Sequence, residues 1–210
     1  MRRLAEADDV SQVVEVHLAA FPGFFLSSLG RPFLTAMYRA FLGQPGSVFV
    51  IAEEGGRLQG FAVGALKRSD GDRSLAFRYL PSFAAALVPA ILRNPIKVTR
   101  RICGQLFSGR GQPDFPDNSA VLRSIGILPE EKGKGLANDL LSDFEKQALA
   151  KGAQAVVLTT DADSNDRAIG FYKKNGYEVQ TEFRQDGARP MLLMSKHIRA
   201  TSQNYKANND

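Results

Sequence analysis

Apolar and polar positions alternate with two clear periods along the chain. Val10, Val13, Val14, His17 and Leu18 recur at helical spacing, which predicts a helix opened by Asp8 or Asp9 and running to Phe21. Pro22-Gly23 breaks it. Phe33, Met37, Tyr38 and Phe41 repeat the spacing and predict a second helix over 32–42. The period then changes. Val48–Glu53 and Leu58–Leu66 read as strands joined by a tight turn at Gly55-Gly56, and Arg2–Leu4 reads as a short edge strand. A third apolar run, Val121–Ile127, leads through Pro129 into a glycine-spaced basic loop at 132–137. An amphipathic helix follows, with Leu136, Leu140, Leu141, Phe144 and Ala148 as its stripe, Asp139, Asp143 and Lys146 solvated, and Gly152 as its stop. Ala155–Asp161 reads as a buried strand. A short helix over 166–175 stops at Gly176, and 177–184 with 190–197 form a closing antiparallel pair.

Lys67–Asn118 interrupts this order. Glycines and prolines punctuate its 52 residues, and two short helices are expected there, over 82–93 and 95–107. The stretch also carries the charge. It holds nine Lys or Arg against four Asp, an excess equal to the +5 of the whole chain. Lys97, Arg100 and Arg101 would share one helical face with Arg93 just before the helix, read first as a solvated basic face. The sharper readings are a seat for an acidic acceptor or contact with a membrane surface or nucleic acid. Nucleic acid ranks last, because no aromatic residues interleave with the basic ones. The rest of the composition is ordinary: 210 residues, 44% hydrophobic, 23% charged. That supports one domain over 1–199, with 67–118 inserted in it and a polar, disordered tail over 200–210. The lone Cys103 cannot form an internal disulfide. With neither a signal-like N-terminus nor a membrane-length apolar run, a cytoplasmic protein is expected.

The candidate chemistry lies in the loop. Gly133 and Gly135 let backbone approach a ligand, and the helix start leaves N–H donors without partners, which together suit a phosphate. No Ser or Thr follows either Lys, which excludes a P-loop, and Asn138 stands where a dinucleotide fingerprint needs glycine. Lys132, Gly135 and Ala137 occupy the positions of the Arg/Gln-x-x-Gly-x-Gly/Ala pyrophosphate loop, which this stretch resembles, of the GNAT family of N-acetyltransferases. Lys132 keeps the charge of the usual Arg but not its planar fork. Downstream, Asn165, Ala168 and Tyr172, followed by Gly176-Tyr177, resemble the second signature of the family, Asn-x-x-Ala-x-x-x-Tyr.

The resemblance implies an α/β fold: a mixed, mostly antiparallel central sheet flanked by helices, here with a helical insertion between the third and fourth strands. It implies acetyl-CoA as co-substrate and no metal. Its phosphates would lie on Lys132, Gly133, Lys134, Gly135, Leu136 and Ala137. Its pantetheine arm would run along Ile125, Gly126 and Ile127, where Gly126 would ease a splay of the central strands, and Asn165 would bond the arm or order its own turn. Tyr172 becomes the general acid toward the leaving thiolate. No base stands out: the strand before the loop has Arg123 and Ser124, Asp114 and Asp117 precede it, Glu53 lies on an earlier strand, and a water chain to a backbone carbonyl would also serve. His17 reads as a core-edge histidine. Phe21, Phe24 and Phe25 are expected near the acceptor pocket or in plain core packing. The expected reaction moves acetyl from acetyl-CoA to a primary amine of a small molecule, such as an amino sugar. A protein or peptide amine, or a non-catalytic acyl-CoA sensor, remain the alternatives.

Overall fold

The computed structural model describes residues 1–67, 113–185 and 189–199. The two short helices expected in the basic stretch, with Cys103, and the polar tail lie outside the described residues. Seven strands form one sheet: β1 (Arg2–Leu4), β2 (Ser47–Glu54), β3 (Arg57–Leu66), β4 (Ser119–Ile127), β5 (Ala155–Asp161), β6 (Glu178–Gln185) and β7 (Arg189–His197). Their order is β1-β2-β3-β4-β5-β7-β6, and every pairing is antiparallel except β4 with β5.

Helices cover both faces. On one lie α1 (Val10–Ala20), α2 (Phe25–Ser28) and α3 (Gly30–Leu42). Val13, Leu34 and Tyr38 from these helices pack on Phe49, Ile51, Phe61 and Val63 of the sheet. The other face takes α4 (Leu136–Ala150) and α5 (Asp166–Lys174). There Leu140, Leu141, Phe144 and Ala148 close on Val48, Val50, Ala62, Leu122 and Val156. The stripe read from the sequence is thus the buried one, with Leu136 at its partly buried edge.

Two glycines of β3 let α4 come this close. A Cβ on Gly60 would stand 2.9 Å from Leu140 Cδ1, and one on Gly64 2.8 Å from Phe144 Cζ. Leu140 and Phe144 are one turn apart and fall over glycines four apart on the strand, so ridge meets groove.

The acids of α4 are not merely solvated. Arg2 Nε donates to Asp143 Oδ2 at 2.5 Å and Arg2 Nη1 to Asp139 Oδ2 at 3.0 Å, tying β1 to α4. Asp9 does not cap α1 through its side chain either. Its carboxylate takes both Arg3 guanidinium nitrogens and the Glu6 N–H, and a one-turn 3-10 helix at Ala7–Asp9 precedes α1. Arg3 holds the Asp9 carboxyl below the usual carboxylate range. Among the described helices none is long and apolar enough to cross a membrane.

Candidate functional site

β4 and β5 start together and then part. Their pairing covers Ser119–Val121 against Ala155–Val157. Beyond it β4 pairs with β3 alone and β5 with β7 alone. The backbone of Ile125, Gly126 and Ile127 therefore turns one edge to a gap in the middle of the sheet. Such an edge offers N–H and C=O groups to an extended ligand as though it were a further strand.

A bulge marks the fork. Leu122 faces Gly64 and Ser124 faces Val63, so Arg123 is the extra residue on β4. The bulge also exchanges faces: before it Leu122 packs toward α4, and after it Ile125 and Ile127 do. Gly126 then lies on the α1 side, where a Cβ would come within 3.0 Å of Phe21 and Phe61. Its smallness thus makes room for two aromatic rings, and the bulge at Arg123 lies next to the last pair of β4 with β5.

Below the gap lies the loop. A 3-10 turn at Pro129–Glu131 leads into Lys132, and Gly135 at φ +87° opens α4. Open space surrounds the Cβ positions of both Gly133 and Gly135, so backbone there is bare to an approaching ligand. The first backbone bonds of the helix run from Asn138 and Asp139 back to Gly135 O, which leaves the Leu136 and Ala137 N–H groups ahead of the helical ladder. These donors and the helix dipole favour an anion. Lys134, also expected beside the phosphates, is exposed, and its Nζ donates to Glu131 Oε1 at 3.0 Å.

α5 flanks the same gap. Tyr172 is half-buried, with its ring against Phe171 (5.2 Å between centroids) and Tyr177 (5.6 Å). Burial pushes its phenol up to about 12, so it carries its proton throughout the neutral range. Two contacts hold α5 against α4. Asn175 Nδ2 donates to Asn138 Oδ1 at 3.0 Å, and the Tyr177 hydroxyl donates to Glu145 Oε1 at 3.0 Å, while Lys196 takes the other oxygen of Glu145 at 2.6 Å. Asn165 leaves the helix N-terminus uncapped. Its Nδ2 donates to Thr160 Oγ1 at 2.6 Å and to Asp161 O at 3.1 Å, the turn-ordering role expected of it. The bond from Asn175 to Asn138 thus brings the end of α5, the helix that carries Tyr172, beside the start of α4 and its loop.

The acids considered as bases are engaged elsewhere. Glu53 binds Arg3 at 3.0 Å; Asp117 and Asp114 lie 3.4 and 4.0 Å from Lys67 Nζ. Sequence reasoning missed three features. Arg189 pairs through two nitrogens with Asp161 at the end of β5. The face of α1 that looks apolar carries a buried hydrogen bond, His17 Nδ1 to the Tyr38 hydroxyl at 2.6 Å. A cleft of about 400 Å³ opens between Phe41 of α3, Gln44 just after it, and Lys67, Val121 and Arg123, on the other side of the bulge from Ile125–Ile127. Phe21 packs at a tilt against His17 with centroids 4.9 Å apart, Phe24 is 54% exposed beside it, and Phe25 packs with Leu29 and Phe33.

A sheet split at its one parallel pair among the described strands, with a glycine loop and helix N-terminus beside the split, is a mixed α/β architecture with an anion-accepting loop. The pattern of the acetyltransferase (GNAT) family matches residues 11–177, and the chain belongs to that family. It is 39% identical over 102 residues to an acetyltransferase of Sodalis glossinidius (strain morsitans); the match covers 49% of this chain and 62% of that relative's length. Among solved structures, the ribosomal-protein-S18-alanine N-acetyltransferase of Escherichia coli has a similar fold, with a TM-score of 0.58 at 14% identity over 98% of this chain and 99% of that one. The aminoglycoside 6'-acetyltransferase type Ii gives 0.60 at 13% over 94% and 96%. The PaiA N-acetyltransferase of Thermoplasma acidophilum, solved with coenzyme A, gives 0.58 at 17% over 94% and 98%.

Proposed function

We propose that the protein transfers an acetyl group from acetyl-CoA directly to a primary amine of a small molecule. The observation that carries this reading is the parting of β4 from β5 above the loop at 132–137. CoA phosphates sit on the Gly133, Gly135, Leu136 and Ala137 backbone with Lys132 beside them. The pantetheine amides pair with the free edge of Ile125–Ile127. A backbone N–H of that edge polarises the thioester carbonyl. The neutral amine adds to the carbonyl carbon; the tetrahedral adduct collapses, the C–S bond breaks, and Tyr172 gives its proton to the departing sulfur. The ammonium proton of the adduct leaves to water, and water reprotonates Tyr172. The nine basic residues between 67 and 118 favour an acceptor that also bears negative charge, such as a nucleotide-linked amino sugar.

Calorimetric titration of the full chain with acetyl-CoA, NADH and ATP tests the cofactor. Micromolar binding of acetyl-CoA alone is expected. Thiol release is then followed with a nucleotide-linked amino sugar, an aminoglycoside and an alanine-first peptide as amines. Folded protein that ignores acetyl-CoA refutes the reading, and turnover of the peptide alone would move the acceptor to a protein.

A further inference from the structure

Arg189 and Asp161 have no part in the steps above. Asp161 ends β5, and Arg189 opens β7, which runs antiparallel to it. Because β4 and β5 are parallel and part after Val121 and Val157, both residues stand at the end of the sheet toward which the gap opens. Register fixes their face. Val157 packs with Leu193 on the face opposite α4, and Thr159 and Asp161 follow it at intervals of two. Asp161 pairs with Met191, and Arg189 lies two residues from Met191, so the ion pair is a diagonal across the two strands. Thr159 is exposed although β5 lies inside the sheet, so this face is open beyond the fork. Gly126 of β4 turns to the same face, against Phe21.

The pair leaves a second fork unused. Arg189 Nε donates to Asp161 Oδ1 and Nη2 to Oδ2, which uses one edge of the guanidinium and both carboxylate oxygens. The other edge, formed by Nη1 and the second hydrogen of Nη2, has no partner among the described residues. That edge offers two parallel N–H donors, which fit the oxygens of a carboxylate or a phosphate. Arg189 is also the more open partner, its side chain 45% exposed against 28% for Asp161. At such exposure the pair does little for stability. It does fix the plane of the guanidinium, so less freedom is lost when a ligand meets it.

Resting on the acetyl-transfer reading, we propose that Arg189 is a specificity-determining residue that binds an oxyanion, carboxylate or phosphate, on the small-molecule acceptor, and that Asp161 is the positioning residue that holds its guanidinium. The helix that starts at the phosphate loop and the helix that carries Tyr172 both pack on the other face of the sheet, which leaves this face to the acceptor. An acceptor anchored on Arg189 by its oxyanion enters the gap at its mouth.

The test follows thiol release from acetyl-CoA by the full-length protein with amines in matched pairs, one member of each bearing an oxyanion. The pairs are β-alanine with β-alaninamide, 2-aminoethyl phosphate with 2-aminoethanol, and a nucleotide-linked amino sugar with the free amino sugar. In at least one pair the native protein should favour the anionic member by about tenfold or more in kcat/KM, and the pair that shows it separates carboxylate from phosphate. Arg189→Gln should raise KM for that amine by about 10- to 10²-fold, with kcat, the KM of its neutral partner and acetyl-CoA affinity unchanged. Arg189→Lys, which keeps the charge without the fork, should lose nearly as much of the preference. Asp161→Ala should also raise KM for the anionic amine alone, by less; a lowered KM would show that Asp161 opposes the anion and overturn its part. Thermal unfolding identifies any variant that fails to fold, and the two Arg189 variants give independent readings of the same edge. A native protein that favours the anionic member of no pair, or Arg189 variants that keep the preference, overturns the proposal while leaving acetyl transfer standing. No acetyl-CoA binding by the native protein overturns both.

Discussion

Gly64 sits at the fork of the sheet, and replacing it by alanine tests how tightly that fork is built. A Cβ there would stand 2.0 Å from the carbonyl oxygen of Val121 and 2.8 Å from Phe144 Cζ. The first contact is about 1 Å inside the 3.0 Å that real Cβ atoms respect, and it is with backbone, so no side-chain rotation relieves it. Val121 is also the last residue of β4 paired to β5. The strand must therefore shift where its partner is about to leave. Overpacking of this kind costs about 1–3 kcal/mol and occasionally more; with backbone as the obstacle the upper end, roughly 3 kcal/mol, is expected. With a urea slope of about 2 kcal/mol/M, the midpoint should fall by about 1.5 M. Gly170, in the middle of α5 with nothing within 4 Å of its Cβ position, is the control. Alanine there should raise stability by about 0.5–1 kcal/mol, because it removes only backbone freedom from the unfolded chain. If Gly64→Ala lost less than about 1 kcal/mol, the packing of β3 on β4 at the bulge would be misread.

Three further outcomes follow from the site. Gly135→Ala should lower stability by about 1 kcal/mol through its left-handed backbone, whereas Gly135→Glu should abolish acetyl-CoA binding in a calorimeter, since a carboxylate would meet the pyrophosphate; undiminished binding in Gly135→Glu would place the phosphates elsewhere. Tyr172→Phe should leave acetyl-CoA affinity intact and reduce kcat by on the order of 10²-fold, and retained turnover would end its role as acid. The phenol at about 12 also gives a stability test: the unfolded chain ionises near 10, so stability falls as pH rises from 10 toward 12, and Tyr172→Phe should weaken that fall. His17 acts at the other end. Its folded value of about 4 lies below 6.5, so the unfolded chain binds the extra proton first and stability declines as pH drops from 6.5 to 4, by roughly 3 kcal/mol. His17→Leu should flatten urea midpoints across that window; an unchanged slope would remove His17 from the buried core.

What could be read from sequence alone divides along physical lines. Features set by one residue and its immediate neighbours were legible. The turn at Gly55-Gly56, the stripe of α4 and the glycine loop each depend on local backbone conformation or on a single period, and each stands where the pattern puts it. The parting of β4 from β5 beside Ile125–Ile127 was expected from family resemblance alone, since no period encodes which strand a given edge will lack.

Features made by two distant segments were hidden. The bulge at Arg123 exists only because Leu122 and Ser124 face Gly64 and Val63, a register unknown until the strands are paired. Gly60 and Gly64 look like strand-weakening residues until Leu140 and Phe144 are laid over them. Lys134 looks like a free cation until the turn at Pro129–Glu131 brings Glu131 to it. Tyr38 is the sharpest case. Helical spacing assigns it to the apolar face, and its ring does pack among Phe41, Phe49 and Phe61. Only its hydroxyl departs from that reading, by meeting a histidine on α1. A hydrophobic period counts such a residue once, as a ring; the polar tip becomes visible only when the two helices meet. That is why the loop could be named from its own residues, whereas the buried pair of His17 and Tyr38 could not.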